Sequence, residues 1–289
     1  MKFGTFWAGS QLPAVEFCCL QSFARHNHDV TLFSFDKIEP LPEGVRLRDA
    51  GEIVKKETLD RFLIRGKPSI TPFSNYFRYK MCLMTDLTWI DTDIFMLKSF
   101  EIPDGENLFA RESEKSVNGA ILRIIRSEPI LPELIRRTEL SMDKNLRWGK
   151  TGPRLLTEIL MEKAFHAMTH PPEEFYPIHF HDFWKVFLPE YYDECVELCR
   201  NAKTIHLWNN IIDRLGFWKD MLPPKKSFLH HLLTQGEMQS HFIATYPDYI
   251  LRRMVENWHM RQNGKDLGII SVAKQIIPGI RRTIRHHVG

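Results

Sequence analysis

Lys2-Phe3-Gly4-Thr5-Phe6-Trp7, then Ala8-Gly9-Ser10, and twenty residues later Val30-Thr31-Leu32-Phe33-Ser34-Phe35 before Asp36, decide the fold. The two runs are short, apolar and rich in β-branched and aromatic residues, the signature of strands. Between them Pro13 suits the first turn of a helix. Val15, Cys18, Cys19, Leu20 and Phe23 form its apolar stripe, and His26-Asn27 ends it. Strand, helix and strand within about 35 residues make a βαβ unit, hence parallel strands and a right-handed crossover. Ligands of such sheets bind beyond the carboxyl ends of the strands, here around Trp7, Ala8, Gly9 and Asp36.

Further along, Pro40, Pro42, Gly44, Gly66, Pro68 and Pro72 mark residues 37–73 as irregular. Ser74 is expected to cap a helix carrying Phe77, Met81 and Met84 on its buried side. Thr88-Trp89-Ile90 follows as a strand. Leu108-Phe109-Ala110 and Gly119-Ala120-Ile121-Leu122-Arg123 read as further strands, 130–144 and 153–165 as helices, and Thr204-Ile205-His206-Leu207-Trp208 as a late strand. After Pro223-Pro224 the pattern is helices and loops. The expected class is α/β with a mixed, mainly parallel sheet.

Composition bounds the function. The chain has 289 residues, 43% hydrophobic and 26% charged, with no run approaching the length of a membrane span. A net charge of +3 does not suggest nucleic-acid binding. Five cysteines, two of them vicinal, make no extracellular disulfide framework and read as reduced thiols of a cytoplasmic protein. From Arg252 onward eight lysines and arginines stand against Glu256 and Asp266. Together with Ile269-Ile270-Ser271-Val272 and Ile276-Ile277, this tail suits a peripheral contact with the inner face of a membrane.

The chemistry is expected at Asp91-Thr92-Asp93. Two carboxylates flanking one residue, directly after a buried strand, offer hard oxygen ligands to Mg²⁺ or Mn²⁺. Held there, such an ion suits transfer from a nucleoside diphosphate. The apolar Trp89-Ile90 before the motif and Ile94-Phe95-Met96-Leu97 after it argue against a solvated loop, because buried carboxylates need a cation. An aspartyl-nucleophile phosphohydrolase would carry the motif on its first strand. A nucleotidyltransferase would also use carboxylates and a divalent cation. Arg78, on the preceding helix, is placed to hold a carboxylate or substrate oxygens by a two-pronged hydrogen bond, or else is a surface arginine. His179 and His181 look like a second metal pair but read better as hydrogen-bonded or cleft-lining histidines. Glu112, Glu114 and Asn118 follow a strand near the cleft where they could meet an acceptor, although the two glutamates read better as a solvated loop.

Phe73-Ser74-Asn75-Tyr76-Phe77-Arg78-Tyr79-Lys80 followed by Trp89-Ile90-Asp91-Thr92-Asp93 resembles the sugar-binding D-x-D region of the family 32 glycosyltransferases. That family includes capsular polysaccharide, α-1,4-galactosyl, α-1,4-N-acetylglucosaminyl and yeast α-1,6-mannosyl transferases. More distantly the region is similar to the glucosyltransferase domains of large clostridial toxins. Phe6-Trp7-Ala8-Gly9, Leu32-Phe33-Ser34-Phe35-Asp36, Asn118-Gly119-Ala120-Ile121, Thr151-Gly152-Pro153 and His206-Leu207-Trp208-Asn209 continue the likeness in the family's order. The resemblance implies a GT-A-like, Rossmann-type domain over residues 1–228 with a helical, basic extension over 229–289. It also implies a UDP-sugar donor, Mn²⁺ or Mg²⁺, retention at the anomeric carbon, and a glycan or glycolipid acceptor in surface polysaccharide synthesis.

By the same resemblance Asp91, Asp93 and His206 hold the metal. Arg78 holds donor hydroxyls or the aspartates, Trp7 borders the uracil, and Ala8, Gly9, Ser74, Asn75 and Trp208 line the donor site. The family usually has Ser-Asp where this chain has Ser74-Asn75, and Gly-Gly at Asp86-Leu87, which leaves the donor sugar undefined. These two departures also admit an alternative, a non-catalytic nucleotide-sugar or glycan-binding module on the same fold.

Overall fold

In the computed structural model, which describes residues 1–147, 149–162 and 169–262, the two opening runs form parallel strands. They are β1 (Lys2–Trp7) and β2 (Asp29–Ser34), joined by helix α1 (Ala14–Arg25), and Phe3 lies opposite Val30 and Trp7 opposite Ser34. Beyond β2 lies β3 (Val45–Asp49), inside the stretch expected to be irregular. Its Val-Arg-Leu-Arg-Asp sequence is mostly exposed, so it carries little of the apolar signal by which a strand is read. It forms the sheet's edge, where charged side chains oppose further pairing.

Helix α2 spans Ile70–Met84 and begins before Ser74, which is therefore an interior residue and not its cap. Pro72, expected to mark a turn, sits in the first turn of the helix, where a missing N–H costs no hydrogen bond. Strand β4 (Thr88–Ile90) lies beside β1, and the short β5 (Ile94–Met96) leaves the sheet. Strands β6 (Leu108–Ser113) and β7 (Ser116–Arg123) form a hairpin whose second strand runs antiparallel to β4. The six-stranded order is β3-β2-β1-β4-β7-β6, mixed but parallel through four strands. This is the α/β class expected.

Helices α3 (Ile130–Glu139) and α4 (Pro153–Met161) are shorter than their apolar patterns, and the expected end of the second falls outside the described residues. Alternation along the strands feeds two apolar layers. Phe3 and Ile90 face α1 and the later chain, whereas Phe6 and Trp89 face α2, α3 and α4. Strand β8 (Thr204–His206) pairs antiparallel with β5, and helix α5 (Asn209–Leu215) follows it. Residues 221–222 pair with 244–245, and Leu229, Leu233, Leu251 and Val255 share the apolar cluster of Phe3 and Ile90. The described residues after 228, through Gln262, thus contribute to the same core. The membrane-suited segment from Ile269 lies outside the described residues. No helix among the described residues is long and apolar enough to cross a membrane. All five cysteines are buried and unpaired.

Candidate metal and nucleotide-sugar site

Strand β4 ends at Ile90, and the chain turns over Asp91 to Ile94 into β5. The Asp91 N–H donates to the Ala120 carbonyl at 2.7 Å, and the Ile94 N–H to the Asp91 carbonyl at 3.2 Å. This turn stands at the carboxyl end of a strand flanked by β1 and β7, where the sheet's direction changes from parallel to antiparallel. It puts Asp91 and Asp93 side by side at the centre of the sheet edge.

Asp91 is held from the α2 side. Arg78 is buried on that helix, so the surface reading does not apply. Its Nη2 donates to Asp91 Oδ1 at 2.8 Å, its Nη1 donates to the Gly119 carbonyl, and its guanidinium lies 4.9 Å from the centre of the Trp89 ring. Trp89 Nε1 donates to the same Asp91 oxygen at 2.6 Å. Gly119 is necessary to this arrangement, because a Cβ there would stand 2.5 Å from Arg78 Nη1.

Asp93 is held from the opposite side. In the β5–β8 pair His206 lies across from Ile94, and the Leu207 N–H donates to the Asp93 carbonyl at 2.9 Å. That register sets His206 Nε2 3.2 Å from Asp93 Oδ2, and the Asn209 N–H donates to the same oxygen at 2.7 Å. Trp208, between them, takes a left-handed backbone with φ near +59°. The turn directs its ring onto His206, with centroids 3.9 Å apart at 30°, and its Nε1 donates to the Ile178 carbonyl at 3.1 Å. Tyr176 completes the wall, 5.6 Å from the His206 ring, and its hydroxyl accepts from the Ile121 N–H at 2.8 Å.

The two carboxylates therefore differ electrically. Burial raises the Asp91 carboxyl above its ordinary value; Arg78 opposes the rise and Asp93 adds to it. Burial would raise Asp93 too, but the charge and hydrogen bond of His206 and the Asn209 N–H bring it below the ordinary value. Asp91, Asp93 and His206 each offer a ligand atom, all within 4.8 Å of one another, and are the one such group of three among the described residues. Buried His206 Nδ1 has no hydrogen-bond partner. Two carboxylates and an imidazole crowded together, one ring nitrogen orphaned, fit a divalent cation by their donor chemistry.

The remaining expected residues are distributed around this centre. Trp7 closes β1, next to β4, and donates from Nε1 to the Gln11 carbonyl at 2.9 Å; Ala8 follows it, partly buried. Gly9, at φ +127°, donates its N–H to Asp36 Oδ2 at 3.3 Å, which closes the β1 and β2 ends over one another. Ser74 is half-buried on α2. Asn75 is buried and committed elsewhere, donating to Thr151 Oγ1 at 3.2 Å.

Glu112 is not a solvated loop residue. It lies in β6 and accepts from Ser116 Oγ and Asn118 Nδ2, each at 2.7 Å, whereas Glu114 pairs with Arg111 at 3.1 Å. His179 and His181 stack with Phe180 between them, and Phe180 packs edge-on against Trp208. Sequence reasoning gave no role in the site to Trp89, read only as part of the buried strand before the motif, nor to Tyr176. It also missed Glu16, which lay unmarked among the apolar positions of α1.

The Alpha 1,4-glycosyltransferase conserved region matches residues 126–235, which include His206, Trp208 and Asn209 but neither aspartate of the D-x-D. Lactosylceramide 4-alpha-galactosyltransferase of Rattus norvegicus is 29% identical over 132 residues, covering 42% of this chain and 36% of the rat protein. The Homo sapiens protein matches to the same extent, 29% identity with 42% and 36% covered. For that of Pongo pygmaeus the identity is 29%, with 42% and 59% covered. The chain thus spans between about a third and three fifths of the length of these relatives. Among solved structures, the apo-form glycosyltransferase GlyE of Streptococcus pneumoniae TIGR4 superposes with a TM-score of 0.42 at 18% identity, covering 71% of this chain and 54% of that one. The resemblance read from the sequence and the matched region agree: over residues 126–235 this chain carries the Alpha 1,4-glycosyltransferase conserved region.

Proposed function

We propose that the protein is a retaining, divalent-metal-dependent glycosyltransferase that moves a hexose or N-acetylhexosamine from a UDP-sugar to a hydroxyl of a glycan or glycolipid. The observation that carries this reading is the Asp91, Asp93 and His206 cluster at the central strand end, with its histidine inside the matched glycosyltransferase region. In this reading residues 1–228 form the transferase unit and 229–289 an extension, and the protein works in the cytoplasm on surface polysaccharide. Its basic tail would meet the membrane face where such acceptors are built.

Asp91, Asp93 and His206 would hold Mn²⁺ or Mg²⁺, and the bound ion would supply charge neutralisation for the departing diphosphate. The protein's own groups do the rest. Arg78 and the Trp89 indole N–H fix one oxygen of Asp91 and oppose the rise that burial imposes on its carboxyl. Trp7, with the small residues Ala8 and Gly9 at the end of β1, would border the uracil, with Ser74 on the α2 side and Asn75 buried behind it on Thr151. Trp208 and Tyr176 wall the His206 side against water. The acceptor hydroxyl would attack from the face the diphosphate leaves, its proton passing to the departing phosphate oxygen, so no protein nucleophile is required.

The lactosylceramide specificity in the relatives' names supports galactose as the first donor to test and a galactose-terminated glycan as the first acceptor. UDP release from a panel of UDP- and GDP-sugars, with and without Mn²⁺, tests the reading. Metal-dependent release from one donor, lost in Asp93→Ala, is the expected outcome. Absence of both release and donor binding, from folded protein with metal present, would leave the non-catalytic binding module as the better account.

A further inference from the structure

Helix α1 buries a carboxylate for which the proposed chemistry has no use. Glu16 is fully buried, and burial holds its carboxyl up at about 7 although Lys219 pulls the other way. A buried charged group is costly, and an apolar residue of similar size in this position is often no less stable. Its contacts are specific. Glu16 Oε1 accepts from Asn209 Nδ2 at 2.9 Å and from Lys219 Nζ at 2.7 Å.

Lys219 Nζ also lies 3.0 Å from Asp213 Oδ1, so one carboxylate ties α1 directly to the first residue of α5 and, through the lysine, to its middle. Two backbone N–H groups at the start of α1 brace the same seam. The Val15 N–H donates to the Lys219 carbonyl at 3.2 Å and the Ala14 N–H to Asp220 Oδ1 at 2.9 Å. Asn209 is the residue whose own N–H holds Asp93 Oδ2 at 2.7 Å, and it follows directly on the left-handed Trp208.

We infer that Glu16, with Lys219, is a positioning residue for the cation site. By gripping the Asn209 side chain it fixes the 206–209 turn, and with it the orientation of both His206 and the Asp93 carboxylate. This rests on the reading of Asp91, Asp93 and His206 as cation ligands. Partners that orient ligands in this way typically alter metal affinity by about 10- to 100-fold when removed.

Three variants of the full chain separate this role from a merely structural one. Asn209→Ala cuts the side-chain link but keeps the backbone N–H. Glu16→Leu removes the acceptor, and Glu16→Gln keeps an oxygen where Oε1 stands. Mn²⁺ is titrated in the presence of UDP, with free Mn²⁺ read by electron paramagnetic resonance, and each variant is melted without metal. Asn209→Ala and Glu16→Leu are expected to weaken Mn²⁺ binding at least about tenfold. In donor hydrolysis they should raise the KM for Mn²⁺ while kcat at saturating metal is kept. Glu16→Gln should restore binding to within about threefold of wild type, a gap of less than 1 kcal/mol.

Wild-type Mn²⁺ affinity in a folded Asn209→Ala overturns the inference even if Glu16→Leu fails to fold. Glu16→Gln as weak as Glu16→Leu overturns it as a hydrogen-bonded brace. If wild type binds Mn²⁺ and Asp93→Ala does not, a failure here leaves the proposed function standing. If folded wild type with UDP binds no Mn²⁺, both readings fall.

Discussion

The two aspartates of one tripeptide are held by regions built on different principles. Asp91 is served from nearby in the chain, by Trp89 two residues before it and by Arg78 thirteen before it, the arginine itself donating to the Gly119 carbonyl on the neighbouring strand. Asp93 is served from far away, by His206 and by Asn209, 116 residues on, which α1 grips in turn. The first region is a strand end and its adjacent helix, rigid because the sheet is rigid. The second is a crossing of elements distant in the chain, joined by the β5–β8 pairing and a shared apolar cluster, with the polar links of Asn209 and Glu16 added to these. The difference shows in the direction each carboxyl is moved, Asp91 up by burial and Asp93 down by His206 and the Asn209 N–H against its own burial.

The sharpest way to break the comparison is to remove the histidine. His206→Ala takes a candidate ligand and the partner of Asp93 together. Donor hydrolysis at fixed, sub-saturating Mn²⁺ is expected to fall about a thousandfold, equivalent to about 4 kcal/mol. A loss under tenfold would remove His206 from the ligand set. The corresponding blow to the Asp91 region is Gly119→Ala, which drives a methyl group to 2.5 Å from Arg78 Nη1. Displacing the guanidinium by about 1 Å should lower kcat by about a hundredfold while circular dichroism stays native. Unchanged kcat would mean that Arg78 does not need its present position.

A smaller effect concerns pH. The Glu16 carboxyl stands at about 7 in the fold against 4.5 unfolded, so the folded state binds the proton more tightly. Its contribution to stability is full below pH 4.5 and is lost as pH rises through about 7. Glu16→Gln should therefore flatten the decline of Tm across that window, as followed by thermal melts. A decline as steep as wild type's would assign it to other groups. The smallest change is expected from Asn75→Ala, which loses one buried hydrogen bond to Thr151. Urea unfolding should show a loss of about 1 kcal/mol, not additive with Thr151→Ala.

The same contrast explains what could be read from the chain beforehand. β1, α1, β2, β4 and the D-x-D were legible because apolar spacing and a motif lie within short windows. Arg78 was legible as a candidate but not as a buried one, since its neighbours Tyr79 and Lys80 give no hint of which side the helix buries. Strand β3 was missed because Arg46, Arg48 and Asp49 mask its alternation at an exposed edge. The start of α2 was missed because Pro72 reads equally as a turn and as a first-turn residue. Glu16 could not have been found: its partner Asn209 is 193 positions away, and nothing in the chain links them except the fold.

The tilted stack of Trp208 on His206, 3.9 Å between centroids, turns the site into its own optical probe. An imidazole that gains positive character, by proton or by metal, interacts electrostatically with the indole π-face that covers it. Indole emission depends on such neighbouring charge. Trp208, like Trp89 on Asp91, is thus a tryptophan whose fluorescence should follow occupancy of the centre, and titrations can be read by light without a label.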